Sequence, residues 1–289
     1  MGLLDFCEEI DRDTLAVEIL RPPFGWPGGK QKLAEVITQY LPYRASYIEP
    51  FGGSGAILLA RHKSPIEVYN DRYGGVVCFY RCLKNPLLFE KLIETLELLP
   101  YSREEWHESH DTWENCQDPV ERAAKWYHMT VFSFAQMGRN FGRGIKSGSL
   151  AHRIYSRLPE FYPLHTRLQG VTLENLDWSQ IMDDYDHFDA VTYCDPPYLN
   201  AASGCYKNNF LLDDHRKLLW KAFHCKGFVA ISGYHNELYD AQPWDQVLEF
   251  PHAVSLEGKA RGDGCNKAAG LPTSNTRVME CLFIKGARP

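Results

Sequence analysis

None of the nine cysteines stands in a Cys-x-x-Cys pair, and an odd count without that spacing excludes both a closed disulfide framework and a zinc ribbon. His107-Glu108-Ser109-His110 sets its histidines three residues apart rather than four, which excludes the helix-borne zinc pair of a metalloprotease; no metal is expected. Nowhere do the roughly 18 consecutive apolar residues of a bilayer-spanning helix occur. The opening segment MGLLDFCEEI carries acids where a secretion signal needs basic residues, and Phe6 stands where a myristoylation signal needs a hydroxyl. A cytoplasmic chain with reduced thiols, away from any membrane, is expected. Basic residues are in deficit too, 31 Lys and Arg against 37 Asp and Glu for a formal charge of -6, so a general basic coat for polyanions is excluded.

What is present is an ordinary globular composition, 44% hydrophobic and 24% charged over 289 residues. Leu33, Val36, Ile37 and Tyr40 recur at helical spacing, predicting a helix that begins just after Gly28-Gly29. Tyr47-Ile48, the turn Gly52-Gly53-Ser54-Gly55 and the apolar run Ala56 to Ala60 read as strand, turn and helix, and Ile66 to Tyr69 as a second strand. Further strands are expected at 171–173, 188–194, 228–232, 246–250 and 277–284, while Ser102-x-x-Glu105 and Asp118-Pro119-Val120-Glu121 mark helix starts in the middle of the chain. Strands alternating with helices predict an α/β fold with a largely parallel sheet, interrupted by a helical insertion between its second and third strands. The expected units are 1–79 with 171–289 as one domain and 80–170 as the insertion, with 261–275 a loop rich in Gly and Asn. Cys78 and Cys82, one helical turn apart, read as small buried hydrophobes.

Charge is uneven. Between Met137 and Gly170 stand Arg139, Arg143, Lys146, Arg153, Arg157 and Arg167 against the single acid Glu160. Arg139, Asn140, Arg143 and Lys146 lie among Gly138, Gly142 and Gly144, which reads as a flexible loop able to enter a groove; Arg153 and Arg157, one helical turn apart, suit phosphates.

Ligands of a parallel sheet sit beyond the carboxyl ends of its strands. After the first strand comes Glu49-Pro50-Phe51-Gly52-Gly53-Ser54-Gly55, and neither it nor Gly25-Trp26-Pro27-Gly28-Gly29-Lys30-Gln31 completes a phosphate-binding P-loop. A nucleoside without a phosphate cradle is favoured. Asp71, at the end of the second strand, is placed to accept both protons of a ribose diol. The most specific segment is Tyr193-Cys194-Asp195-Pro196-Pro197-Tyr198. Its prolines remove two N–H donors, leaving the Asp195 carboxylate and the Pro196 carbonyl as paired acceptors for the hydrogens of an amino group. An exocyclic amine on adenine is a poor nucleophile because its lone pair is delocalised into the ring, and two such acceptors would restore it. Tyr198 would supply a flat face for the base.

Glycine turn, ribose acid and Asp-Pro-Pro-Tyr, in this order, resemble the Dam-type DNA adenine N6-methyltransferases, and Trp26-Pro27-Gly28-Gly29-Lys30 matches a segment that precedes the turn in that family. The likeness covers about residues 22–240, with a weaker echo in Thr276-Arg277-Val278-Met279-Glu280. It implies a Rossmann-like sheet dependent on S-adenosylmethionine (SAM), with S-adenosylhomocysteine as product. Trp26 and Lys30 would lie near the methionine end, Glu49, Phe51, Gly52, Gly53 and Gly55 along the cofactor, and Asp71 on the ribose. Asp177 and Trp178 would border the cofactor adenine, Asp195, Pro196, Pro197 and Tyr198 would form the catalytic segment, and Tyr206 with Phe210 an aromatic loop. The insertion becomes the target-recognition domain. Gln136-Met137-Gly138-Arg139-Asn140-Phe141-Gly142-Arg143 departs from the Asn-rich stretch that many members carry, so the recognised sequence cannot be borrowed.

The expected activity is methylation of a flipped adenine in duplex DNA by a bacterial or phage-encoded enzyme. Cytosine-N4 in DNA, adenine in RNA and a silent DNA-binding relative are the alternatives. Asp195 counts against the cytosine enzymes, which resemble Ser-Pro-Pro-Tyr, and Asp195 with the glycine turn counts against silence. Oligomeric state and a restriction endonuclease partner stay open.

Overall fold

The computed structural model describes residues 19–144, 150–199, 210–252 and 278–286; Lys146, Tyr206 and the 261–275 segment lie outside them. Seven strands form one sheet: β1 (Ser46–Glu49), β2 (Ile66–Asn70), β3 (Val171–Glu174), β4 (Ala190–Cys194), β5 (Phe228–Gly233), β6 (Gln246–His252) and β7 (Val278–Lys285). Their order is β3-β2-β1-β4-β5-β7-β6. The first five are parallel, and β7 enters antiparallel between β5 and β6. Every residue of β1, β4 and β5 is buried, as expected of central parallel strands covered on both faces. The chain runs from β1 outward to β3 and returns on the other side at β4, so the sheet reverses between β1 and β4 and opens a crevice over their carboxyl ends.

Helices α1 (Ala34–Thr38) and α2 (Ala56–Ala60) come before β2, and the helical insertion between β2 and β3 comprises α3 (Gly74–Lys84), α4 (Pro86–Leu98), α5 (Arg103–Thr112), α6 (Pro119–Val131) and α7 (Leu158–Leu168), so its first helix starts at Gly74, ahead of the expected boundary at residue 80. After β3 come α8 (Trp178–Asp184), α9 (Leu212–His224) and α10 (Glu237–Asp240). The expected caps form: the Ser102 hydroxyl accepts from Glu105 N, and Asp118 accepts from Val120 N and Glu121 N, with Pro119 in the first turn where no donor is lost. Insertion and sheet share one continuous core, in which Phe79, Trp126, Tyr127 and Phe161 join Tyr47, Ile57 and Tyr69. Among the described residues no helix is long and apolar enough to cross a membrane.

Two sequence expectations are corrected. The helix after Gly29 starts only at Ala34 and buries Ala34 and Ile37, with Leu41 beyond its end, whereas Val36 and Tyr40 are exposed. Residues 28–33 are non-helical, with turns at 28 and 31–33, and from this stretch the Lys30 ammonium reaches inward to Gly28 O and Asp195. Arg167 is not a surface cation. From α7 it grips buried Glu67 with both terminal nitrogens and donates to Leu58 O at 2.7 Å, while Arg61 approaches the same carboxylate at 3.6 Å.

Removing one partner from such a buried pair leaves an uncompensated charge, so Arg167→Ala should lose about 3–5 kcal/mol of unfolding free energy. Urea denaturation checks this; a loss under about 1 kcal/mol would show that Glu67 finds other solvation.

Candidate active site

Over β1 and β4 lies a cavity of about 550 Å³. Its floor is the turn after β1. Gly53 has φ +50, in the left-handed region, and a Cβ there would stand 2.7 Å from the Trp26 indole nitrogen, so only glycine fits. Gly53 N donates to one Asp71 oxygen at 2.8 Å and Tyr73 N to the other at 2.7 Å, which aims the carboxylate while each oxygen keeps a lone pair. Burial pushes the Asp71 carboxyl up to about 6 against the pull of these two N–H groups. Gly52, Phe51, Trp26 and Glu49 line the same cavity, and Gly55, in the left-handed conformation, caps α2. Glu49 is fully enclosed, and burial lifts its carboxyl to about 8 although the Tyr47 hydroxyl, Leu58 N–H and Arg61 all favour its charge.

Aromatic groups form one wall. Phe51 stacks on Trp178 at 5.7 Å and 26°, and Phe210 meets Phe51 edge-on at 5.6 Å. Trp178 faces the cavity; its neighbour Asp177 does not. Asp177 caps α8 through Ser179 N at 3.0 Å and Ser179 Oγ at 2.7 Å and pairs with Arg72 at 3.1 Å. Partial burial raises that carboxyl, and the Ser179 bonds and Arg72 outweigh it, holding the group below the usual carboxylate range. Asp177, expected at the cofactor adenine, thus caps α8 outside the cavity lining, while Trp178 lines it. The insertion supplies a wall that the sequence did not announce: Trp113, Trp126 and Met129.

At the end of β4, Asp195 meets Lys30. The ammonium lies 2.8 Å and 2.9 Å from the two carboxylate oxygens, 2.8 Å from Gly28 O and 3.6 Å from Glu280 Oε1. Tyr198 donates its hydroxyl to Glu280 and lies 3.3 Å from Asp195 Oδ1. Burial raises the Asp195 carboxyl, opposed by Lys30 and then Tyr198. Asp195 and Pro197 border the cavity and Pro196 is buried beside them. The Tyr198 ring packs edge-on against Tyr234 at 4.6 Å, and its hydroxyl is turned toward two carboxylates. Glu280 was missed as a site residue. The available signal was an acid in the otherwise apolar stretch Val278-Met279-Glu280-Cys281-Leu282-Phe283-Ile284.

The arginine segment is a tight turn rather than a loose loop. Ser133 pairs with Phe141, Phe134 N donates to Asn140 O at 2.7 Å, and Gly142 N to Phe132 O at 2.7 Å. A Cβ at Gly142 would lie 2.9 Å from Phe132 O, so that glycine serves close approach, not flexibility. Arg139 is exposed and lines the cavity; Asn140 and Arg143 are exposed nearby. Arg153 and Arg157 instead donate to Val131 O at 3.1 Å and Pro23 O at 2.7 Å, both half-buried. Arg157 ends a short 3-10 turn rather than an α-helical one, so these two brace main-chain carbonyls and the surface excess of positive charge is smaller than the residue count.

Glu49 gives a pH test. Its folded carboxyl ionises near 8 against an ordinary value of 4.5, so between these values the folded state holds a proton that the unfolded state has released, and stability falls as pH rises. Ligand-free Glu49→Gln should therefore gain melting temperature relative to wild type between pH 5 and 8.5, measured by calorimetry. Parallel curves would show that Glu49 ionises normally.

A family model described as the D12 class N6 adenine-specific DNA methyltransferase matches residues 26–255. The DNA adenine methylase of Salmonella typhi is 25% identical over 185 residues, 60% of this chain and 63% of that protein, so the chain spans somewhat less than two thirds of that relative's length. The DNA adenine methylase of Escherichia coli (strain K12) is 25% identical over 209 residues, 67% of this chain and 72% of that protein. With the family match running from Trp26 at the glycine turn, through Asp195, to beyond β6, this chain belongs to the D12 class N6 adenine-specific DNA methyltransferase family.

Proposed function

We propose that the chain is a SAM-dependent methyltransferase acting on the N6 amine of an adenine flipped out of duplex DNA in the cytoplasm. One observation carries this reading: Asp195 and Pro197 border the same cavity as the glycine turn and Asp71, so the segment suited to accept an amine and the segment suited to hold a nucleoside share one space. The residues present suit SAM. The cavity, about 550 Å³, has the size of a small-molecule site; Asp71 keeps free lone pairs for a ribose diol, Phe51 and Trp178 offer apolar faces for an adenine ring, and Glu49 and Lys30 stand at its polar end. SAM, when bound, supplies an electrophilic methyl on a sulfonium sulfur.

The protein's own part is positioning and electrostatics. Asp195 and the Pro196 carbonyl accept the two amine hydrogens, localising the nitrogen lone pair toward the methyl. As that nitrogen gains positive charge, the Asp195 carboxylate stabilises it in a site where burial strengthens the interaction, and the charge ends when one of the two amine hydrogens is released as a proton. The amine is out of reach in a stacked duplex, so the base must leave the stack, at a cost of a few kcal/mol recovered in the pocket. Arg139, exposed at the cavity edge, is the residue placed to touch the DNA around that base, with Asn140 and Arg143 beside it.

Asp71→Ala should weaken SAM binding by about 1.5–3 kcal/mol, read by titration calorimetry; an unchanged dissociation constant would remove Asp71 from the site. Asp195→Ala should bind SAM within a few fold of wild type and transfer no measurable methyl to duplex DNA. Full transfer by that variant would defeat the mechanism. Arg139→Ala should relax sequence preference, since one arginine–guanine pair discriminates by roughly 1–3 kcal/mol, and equal losses on cognate and random duplexes would reduce Arg139 to a brace.

A further inference from the structure

The buried cluster at the end of β4 holds more acid than the proposed chemistry uses. Lys30 occupies both Asp195 oxygens, at 2.8 Å and 2.9 Å, and the Tyr198 hydroxyl stands 3.3 Å from one of them. An amine arriving at Asp195 still finds a lone pair on each oxygen, but on a carboxylate whose charge is largely drawn to the ammonium. To strengthen that acceptor the ammonium must lean away, and a buried cation leaves one anion only if another receives it. Glu280 Oε1 waits at 3.6 Å, inside ion-pair range and short of full hydrogen-bond contact, so a displacement of under about 1 Å would complete that bond. The Gly28 carbonyl, 2.8 Å from the same nitrogen, anchors the ammonium.

Glu280 comes from the antiparallel strand β7, where Cys281 pairs with Gly233 at the end of β5 and Glu280 with Phe250 of β6. Its side chain is 3% exposed. The titratable groups around it are Lys30, Asp195, Tyr198, Tyr193 and Tyr234. Lys30 is the cation among them, shared with Asp195. A carboxylate buried in an apolar strand is costly, and here it stands beside a lysine that already has a partner.

Resting on the activity proposed above, we infer that Glu280 is a positioning residue for methyl transfer: it draws the Lys30 ammonium toward itself and so returns charge on Asp195 to the target amine. The two carboxylates share one cation, which leaves a net negative charge where the attacking nitrogen becomes positive. Tyr198, bonded to Glu280 and near Asp195, keeps the two acids in register. Burial lifts the Glu280 carboxyl to about 6, with Lys30 opposing and Asp195 adding to the rise. Below that pH the protonated acid attracts Lys30 poorly, the ammonium stays on Asp195, and transfer slows.

The test is Glu280→Gln, which keeps size and removes charge, in the full chain with SAM and unmethylated plasmid DNA. The expected result is a kcat at least 10-fold lower, a SAM dissociation constant by calorimetry within threefold of wild type, and an acidic limb of the kcat profile displaced to lower pH. Wild-type kcat with an unmoved acidic limb would overturn the inference, as would parallel loss of SAM affinity and rate, the mark of a brace. If Glu280→Gln does not fold, Glu280→Asp keeps the charge one methylene short: a reduced kcat with the acidic limb retained supports the role, and wild-type kcat overturns it. Wild-type protein in the same assay separates the two levels. Transfer to adenine by wild type with an unaffected Glu280→Gln rejects only the role of Glu280, whereas no transfer by wild type rejects the activity and this role with it.

Discussion

One buried ammonium organises the active end of this molecule. Lys30 joins the turn before α1, the segment after β4 and the start of β7, through Gly28 O, Asp195 and Glu280. Two carboxylates and a lysine taken out of water are tolerable only because they satisfy one another, and loss of the cation would leave two like charges facing in a low-dielectric space. The same constraint shapes the backbone. Lys30 points inward from the non-helical stretch 28–33, and Trp26 lies over Gly53.

Sheet topology makes that meeting possible. Reversal of strand order between β1 and β4 sets Glu49-Pro50 and Asp195-Pro196 side by side at one edge, and Asp71 follows from the end of β2. β7 runs the other way, so its first residues, not its last, arrive at that edge. A parallel strand in that place would carry Glu280 to the opposite end of the sheet. The insertion then closes the crevice from above with Trp113, Trp126 and Met129, packed into the same core as the sheet. The cavity floor and this helical wall thus rest on one shared core, and the turn bearing Arg139 is fastened to the segment before α1 where Gln136 Oε1 accepts from Gly25 N at 2.6 Å.

Much of this was legible in the sequence because it is local. Strand, glycine turn and α2 follow from residues 47–60, the caps at Ser102 and Asp118 from their spacing, and Asp-Pro-Pro-Tyr from its own chemistry. What could not be read depends on partners far along the chain. Arg167 looks like a surface cation until Glu67, a hundred residues away, is found beside it. Arg153 and Arg157 look like phosphate ligands until Val131 O and Pro23 O are found to hold them. Asp177 is an N-cap by sequence rule as well, with Ser179 two residues on, a local role that the sequence carried beside the one implied by resemblance. Glu280 was visible as a polar intrusion in an apolar strand, but only antiparallel insertion beside β5 turns that intrusion into a partner for Lys30.

The central claim is that this cluster prepares an exocyclic adenine amine in DNA for methylation, and the identity of the methylated nucleoside tests it most directly. Wild-type protein is incubated with isotopically labelled SAM and, separately, duplex DNA and RNA, and the digested nucleosides are resolved by mass spectrometry. The account predicts label in N6-methyldeoxyadenosine from DNA alone. Label in N4-methyldeoxycytidine, or in RNA and not in DNA, would contradict it.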